Sequence, residues 1–378
     1  MPFTGKATYS AGATLPEIAE DVSDIVSISS PFDTPLLDAL GDPARAARST
    51  VHEWLEDTLL PNTDPLVAID GSSMTVSDGA RFRVGDLLRV EGFGELMLVD
   101  GIVDNELTVT RGYGGTSPGA PDSGAVVHIV GNAALEGDDA DAARFTVRQR
   151  RANYTQIFAK TVEVSGSELA VRQLGVRDEL DYLKAQRLRE LMRDLENCVL
   201  NGVAPTIDPQ GAAGVRRSMR GIVSFITTNR LSVGDDGFPA DTVLTEAQLN
   251  LALRTIWQRS NGNIDLIVVG GPEKRAINQF VATNRRFFTS NETYKDLVSA
   301  YESDFGVCRV VLSRHMPRGT VLLLDSSKIE VMPLAGRSFQ YHPLARTGDR
   351  ESGQLVGEYT LEFRNEACHG LISGFSGE

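Results

Sequence analysis

The chain has 378 residues, 41% of them hydrophobic, and a formal net charge of −14, with a mean hydropathy of −0.14. That length provides for two or three domains and a sizeable core, no run of 18 apolar residues is present to span a membrane, and Met1–Lys6 lacks the apolar core of a secretory signal. The acidic balance argues against a protein that grips nucleic acid on a broad basic surface.

Residues 1–49 read as an arm. Ile18–Ile28 has the spacing of a short helix, and the prolines at Pro31 and Pro35 break it, because the residue before each is pushed out of the helical region. Leu36–Leu40 supplies a small apolar anchor. Thr50–Leu60 is a strand candidate, closed by Pro61. Residues 64–132 have a different texture, with short strand-like runs punctuated by glycine. Phe82, Val84, Leu88 and Val90 are expected on one face, with Arg81, Arg83 and Arg89 on the other. Strands follow at Glu95–Val99, Glu106–Thr110 and Ala125–Val130. Short strands at this spacing predict a small β-barrel or sandwich inserted in the chain. Gly112, Gly114 and Gly115 read as turn residues with positive φ, not as a phosphate loop.

The stretch from Arg150 to Gly202 is the most informative. Tyr154, Ile157, Thr161, Val162 and Val164 sit among polar neighbours, as in a half-buried strand. Val176, Leu180, Leu183, Leu188, Leu191, Leu195 and Cys198 then recur at helical spacing, one stripe along a helix of about 38 Å at about 1.5 Å per residue. An extended arm joined to a long one-sided helix suits a subunit that reaches over neighbours better than it suits a pocket. Further on, Thr245 and Gln248 form a capping box that opens a helix ending near Asn261-Gly262. Ile264–Val269 reads as a buried strand, and Pro272 suits the first turn of a helix running to Val281. Strands are expected at Val307–Leu312, Thr320–Leu324, Ile329–Val331 and Tyr359–Arg364.

Charge is uneven along the chain. Residues 1–140 hold 23 acidic and 7 basic side chains, whereas residues 141–230 hold 10 acidic and 15 basic ones. The basic middle of one copy is suited to the acidic N-terminal part of another; for any single charge, a solvated face is the simpler reading.

No catalytic constellation stands out. His52, His128, His315, His342 and His369 are scattered, with no metal spacing. Cys198, Cys308 and Cys368 read as buried reduced thiols. Gly270-Gly271 before a helix, with Lys274 and Arg275 near its start, raises a nucleotide-binding α/β enzyme as an alternative. It lacks both glycine-rich phosphate fingerprints, and an ordinary βα turn is the simpler reading. No cofactor, metal or membrane partner is expected.

Six blocks in order carry a resemblance: Ser30-Pro-Phe-Asp-Thr-Pro35, His52-Glu-Trp-Leu-Glu-Asp57, Glu136-Gly-Asp-Asp-Ala140, Asn153-Tyr-Thr-Gln-Ile-Phe158, Val164-Ser-Gly166 and Glu190-Leu-Met-Arg-Asp-Leu-Glu196. Together with Tyr359–Asn365 they resemble the tailed-bacteriophage major capsid proteins of the Hong Kong 97-like fold, in the branch of the phage SU-10 capsid protein. The resemblance covers most of the chain except residues 64–132. It implies an α+β subunit with an N-terminal arm (1–49), an E-loop (50–63 and 133–166) carrying the inserted β-module (64–132), a peripheral P domain (167–240 and 326–378) with a spine helix at 176–201, and an axial A domain (241–325). The implied function is self-assembly, as hexamers and pentamers, into an icosahedral head that encloses DNA and is built in the bacterial cytoplasm. Scaffolding, portal and decoration proteins are implied partners, with packaged DNA contacted weakly. An encapsulin-like compartment shares the fold and is the alternative shell. Arg144, Arg148, Arg150, Arg151 and Lys160, with Glu53, Glu56 and Asp57, are the expected inter-subunit contacts. Some members of the wider fold join Lys to Asn covalently across subunits; Lys160, Asn365 and Glu366 are the residues such a bond would need here, although Lys160 lies at the base of the E-loop rather than its tip.

Overall fold

The computed structural model describes residues 33–137, 143–170, 178–235, 237–284, 300–346 and 348–376. The helix expected at Ile18–Ile28 lies outside these residues. Two compact units are present, residues 55–150 and the rest of the chain.

Pro35–Leu40 is helix α1, with Pro35 in its first turn and Leu36 fully buried. Proline suits that place because its φ is already helical and its missing N–H would have had no partner. Val51–Glu56 is strand β1.

The unit of residues 55–150 is built on six strands. They are β2 (Thr63–Asp70), β3 (Ser73–Val76), β4 (Asp86–Val90), β5 (Met97–Val103), β6 (Glu106–Thr110) and β7 (Val126–Asn132). They close into an antiparallel barrel in the order β2-β3-β6-β5-β4-β7. Closure leaves no free sheet edge, which decides between barrel and sandwich. Alternate residues point inward, so Met74 and Val76, Leu88 and Val90, and Leu107 and Val109 meet in one apolar core. The face expected over Phe82–Val90 is broken. Phe82 is buried but Val84 is 58% exposed, because Val84 and Gly85 form a turn, with a positive φ at Gly85, before β4 begins. Gly112, Gly114 and Gly115 all have positive φ, as their reading as turn residues required.

β1 pairs with β8 (Gln149–Tyr154) in a two-stranded ribbon. Then come β9 (Gln156–Ser165), α2 (Gly166–Ala170), α3 (Glu179–Asn201), α4 (Ile222–Phe225), β10 (Arg230–Ser232) and α5 (Glu246–Arg259). They are followed by β11 (Leu266–Val269), α6 (Gly271–Asn284), β12 (Ala300–Ser303), β13 (Gly306–Leu312) and β14 (Thr320–Leu324). The chain ends with β15 (Ile329–Pro333), β16 (Gln340–Pro343), β17 (Arg350–Phe363) and β18 (Gly370–Ser373).

A six-stranded sheet runs in the order β10-β18-β14-β11-β13-β12. Its central strand β11 is buried on both faces. Leu266 and Val268 join the core that holds α3, while Ile267 and Val269 join the core under α5 and α6. That is why its sequence is continuously apolar rather than alternating. The capping box at Thr245 and Gln248 opens α5, and the helix is capped at Ser260. In the second sheet, β17 pairs with β15 and then β16 along one edge and with β9 along the other. Only the end of β17 is apolar enough to read as strand. Its first half carries Gly353 and Gly357, where a Cβ would come within 2.2 Å of Tyr341 and 2.4 Å of Phe339; glycine lets those rings lie across the strand.

On β9 the inward residues are Phe158, Val162 and Val164, and Ile157 faces out. The long helix α3 begins at Glu179, with the Asp178 side chain accepting from the Asp181 N–H. The expected Val176 lies outside the described residues. Leu191 and Leu195 are buried with Phe158, Val162 and Leu361, but Leu188 is 38% exposed. The stripe is therefore corrected: the buried face widens over the last turns to include Glu196, Val199 and Leu200 and thins out before Leu191. Leu191→Ala and Leu195→Ala are each expected to cost about 2–5 kcal/mol. Leu188→Ala should cost under about 1 kcal/mol. Urea denaturation of the three variants measures the difference, and equal losses would contradict the corrected stripe.

Candidate functional site

The polar interior of the larger unit serves anchoring. Residues 33–54 are fastened at three places. Glu196 of α3, fully buried, accepts the backbone N–H groups of Leu36 and Leu37, each at 3.0 Å, and the Ser313 hydroxyl at 3.4 Å. Burial pushes the Glu196 carboxyl above its ordinary value, against the pull of those two amides. Ala47 bridges to Leu334, its N–H donating to Pro333 O and its carbonyl accepting from Ala335. Arg45 reaches Glu330 at 3.1 Å and Glu362 at 2.6 Å, while His52 Nε2 lies 2.5 Å from Glu362. Burial alone would raise the Glu362 carboxyl. The His52 hydrogen bond and the charges of Arg45, His52 and Arg364 outweigh it and hold the group below its usual range.

A second centre is Glu358 on β17, almost fully buried. It takes the Thr155 hydroxyl, Arg217 at 2.5 Å and Arg337 at 2.8 Å. A third is His369, fully buried and tilted against Phe363 at 4.2 Å between ring centres. Its Nδ1 accepts from the Asp325 N–H at 3.1 Å. Burial pulls its pKa down to about 4. An unfolded histidine titrates near 6.5, so the unfolded chain binds the proton first, and stability falls as pH drops from about 6.5 toward 4. The loss amounts to roughly 3 kcal/mol from this one group. His369→Gln, which keeps an acceptor, is expected to flatten that part of the pH–stability curve relative to wild type. Parallel curves between pH 7 and 4 would sink the assignment.

The residues expected at subunit contacts are placed as follows. Arg148 pairs with Asp57 of the same chain at 3.3 Å, and Asp57 also accepts the Thr146 hydroxyl at 2.7 Å. The Thr146 hydrogen bond leads in lowering the Asp57 pKa. Arg144 donates to the carbonyls of Arg81 and Phe82. Arg150 and Arg151 lie on β8 and Glu53 and Glu56 on β1, each with interactions of its own. Lys160 on β9 reaches Asp194 at 3.2 Å and Glu190 at 3.9 Å, both on α3. Glu366 accepts the N–H groups of Thr227 and Thr228 and the Thr228 hydroxyl. The structure thus brings together Arg148 with Asp57, and Lys160 with the acids of the long helix.

The sequence did not single out Glu196, Glu358, Glu362 or Glu95. Glu95 and Glu196 have apolar residues two or four places away (Phe93 and Met97; Met192 and Leu200), whereas Glu358 has only Val356 so placed and Glu362 has none. Near Gly270-Gly271, Lys274 is only 7% exposed, with burial lowering its pKa, and so is poorly placed to meet a phosphate. The turn is an ordinary strand-to-helix connection. Among the described residues no group of three His, Cys, Asp or Glu is placed to hold a metal.

The fold is similar to that of solved capsid subunits. A chain from the capsid of a native GTA particle matches with a TM-score of 0.57 at 10% identity, over 99% of this chain and 100% of that one. A chain of Microbacterium phage Oxtober96 matches with a TM-score of 0.51 at 13% identity, over 97% and 99%. One of Gordonia phage Cozz matches at 0.51 and 11%, over 100% and 98%. No curated protein sequence matches the chain. The fold is that of the Hong Kong 97-like shell subunits. The family model for the SU10 major capsid protein matches residues 3–376, and the chain belongs to that family, as a major capsid protein of a tailed phage. The match runs through residues 64–132, so the barrel lies within the family's span rather than outside it.

Proposed function

We propose that this capsid protein assembles as hexamers and pentamers into a closed icosahedral head around double-stranded DNA, in the cytoplasm of its host, and that its role there is structural rather than catalytic. The observation that carries the reading is the family match along nearly the whole chain. In this reading residues 1–49 are the arm, 50–63 and 133–166 the E-loop, 64–132 the barrel inserted in it, 167–240 and 326–378 the P domain, and 241–325 the A domain. Arm and E-loop overlap neighbours, so many modest contacts hold the shell and a subunit leaves only when several break together. The acidic chain holds DNA loosely, which suits a packaged genome that must slide. Scaffolding, portal and decoration proteins complete the set of partners. Electron microscopy and gel filtration of the purified full chain test it: capsomers and closed shells are expected, and a small discrete oligomer at every concentration would overturn it.

Arg144, Arg148, Arg150, Arg151 and Lys160, with Glu53, Glu56 and Asp57, are proposed to meet neighbouring copies beyond their contacts within the chain. Assembly yield should then fall between low and high salt, since exposed charges are screened beyond about 8–10 Å at moderate ionic strength. A yield that stays flat across that range would assign the interface to apolar contacts.

A further inference from the structure

One strip of the larger unit carries positive charge that the described residues leave unanswered. Residues 216–220 run beside the start of β9: Arg217 Nε donates to Thr155 O at 2.7 Å, the Met219 N–H to Gln156 Oε1 at 3.2 Å, and the Arg220 N–H to Asn153 Oδ1 at 2.8 Å. Arg217 is neutralised by Glu358. Arg216 and Arg220 pair with no carboxylate among the described residues. Arg216 is exposed. Arg220 lies over the Phe225 ring at 4.3 Å and donates to Ser224 O. Burial, and then the charge of Arg151, lowers the Arg220 pKa. Beside this strip opens a groove of about 690 Å³, lined by Gln156, Ile157, Gly211, Ala212, Val215 and Arg216 among others. Ile157 is 51% exposed there. A cationic strip alongside a groove whose mixed lining includes Ile157, Ala212 and Val215 fits a peptide that carries both carboxylates and an aliphatic side chain.

The chain contains such a peptide. Leu135-Glu136-Gly137-Asp138-Asp139-Ala140-Asp141 has four carboxylates in seven residues, and Leu135 is 78% exposed. It belongs to the unit of residues 55–150, whereas the groove belongs to the other unit. We propose that the groove and arginine strip at Ile157, Val215, Arg216 and Arg220 receive the acidic segment Leu135–Asp141 of a second copy of this chain. Two different patches that fit each other make a head-to-tail contact, and such contacts close into rings when the rotation allows. DNA phosphates would satisfy the arginines but leave Ile157 and Val215 without a partner. The contact rests on the proposed assembly into shells and names one of its joints.

Charge reversal from both sides tests it. Full-length Arg216→Glu and full-length Asp138→Lys/Asp139→Lys are each expected to lose shells at a concentration where wild type forms them, with thermal melting unchanged. Mixed in equal amounts they should recover shells, because each reversed surface then faces its complement on the other variant. Arg216 is exposed, so its reversal leaves the core alone, and the acidic-segment variant probes the same joint if Arg216→Glu folds poorly. Either variant assembling like wild type would overturn the contact. So would a mixture no better than its parts, and in that case recovery by all three changes in one chain would place the contact within a subunit. Normal shells of Arg216→Glu that lose packaged DNA would assign the strip to DNA instead. Wild-type protein that forms no shells would overturn the proposed function and this joint with it.

Discussion

Glu358→Ala is expected to cost the larger unit about 3–5 kcal/mol, the range for breaking a buried ion pair from one side. Glu358 is 3% exposed and joins the start of β9 through Thr155, the 210–220 segment through Arg217, and the loop after β15 through Arg337. The two arginines will not suffer alike. The Arg337 side chain is 47% exposed and can turn to water, whereas that of Arg217 is 18% exposed and loses its counter-charge in place. Most of the loss should therefore come from Arg217 and the stranded Thr155 hydroxyl. Glu358→Gln keeps an acceptor for both and should lose less than Glu358→Ala. Urea denaturation followed by circular dichroism measures it. A loss below 1 kcal/mol for the alanine variant would show that the carboxylate is not the centre of this network.

The elements that the sequence revealed are those whose pattern is set locally. Thr245 and Gln248 bond each other's backbone, so the start of α5 is written in four residues. β11 is covered on both faces, so its apolar run is continuous. The barrel announced itself because each short strand is bounded by a turn residue, as at Asp104, with φ 52, before β6. β17 was half hidden because its first half is held by pairing on two edges, not by its own apolar residues. Leu188 was misplaced for a related reason: a helical stripe gives the direction a residue faces but not where the partner sheet ends. Among the contact candidates, charge type was legible and pairing was not. Arg148 meets Asp57 of its own chain across the ribbon region, a fact that no spacing of 91 residues encodes. Buried carboxylates were the least visible, since Glu196 and Glu358 read as surface charges until the segments that donate to them are brought together by the fold.

The barrel offers the second large effect, through Glu95. Glu95 is 3% exposed and takes Arg111 through both oxygens, at 2.6 and 2.7 Å, together with the N–H groups of Gly112 at 3.0 Å and Gly119 at 2.8 Å. The Arg111 hydrogen bond is foremost in holding the Glu95 carboxyl below its usual range. With the hydrogen bonds of the Tyr113 N–H to Leu96 O and of the Leu96 N–H to Thr116 Oγ1, this carboxylate holds the 111–119 loop against the start of β5. The loop's close approach depends on glycine, since a Cβ on Gly119 would stand 2.5 Å from the Phe93 ring. Glu95→Ala strands a guanidinium that is 20% exposed and two amides, and should cost the barrel about 3–5 kcal/mol. Because residues 55–150 form a compact unit with its own core, the loss should appear as a separate transition at lower temperature, with the larger unit melting as in wild type. Differential scanning calorimetry of the full chain distinguishes the cases. A single transition shifted as a whole would mean that the two units unfold together, and an unshifted trace would mean that Glu95 contributes little to the barrel's stability.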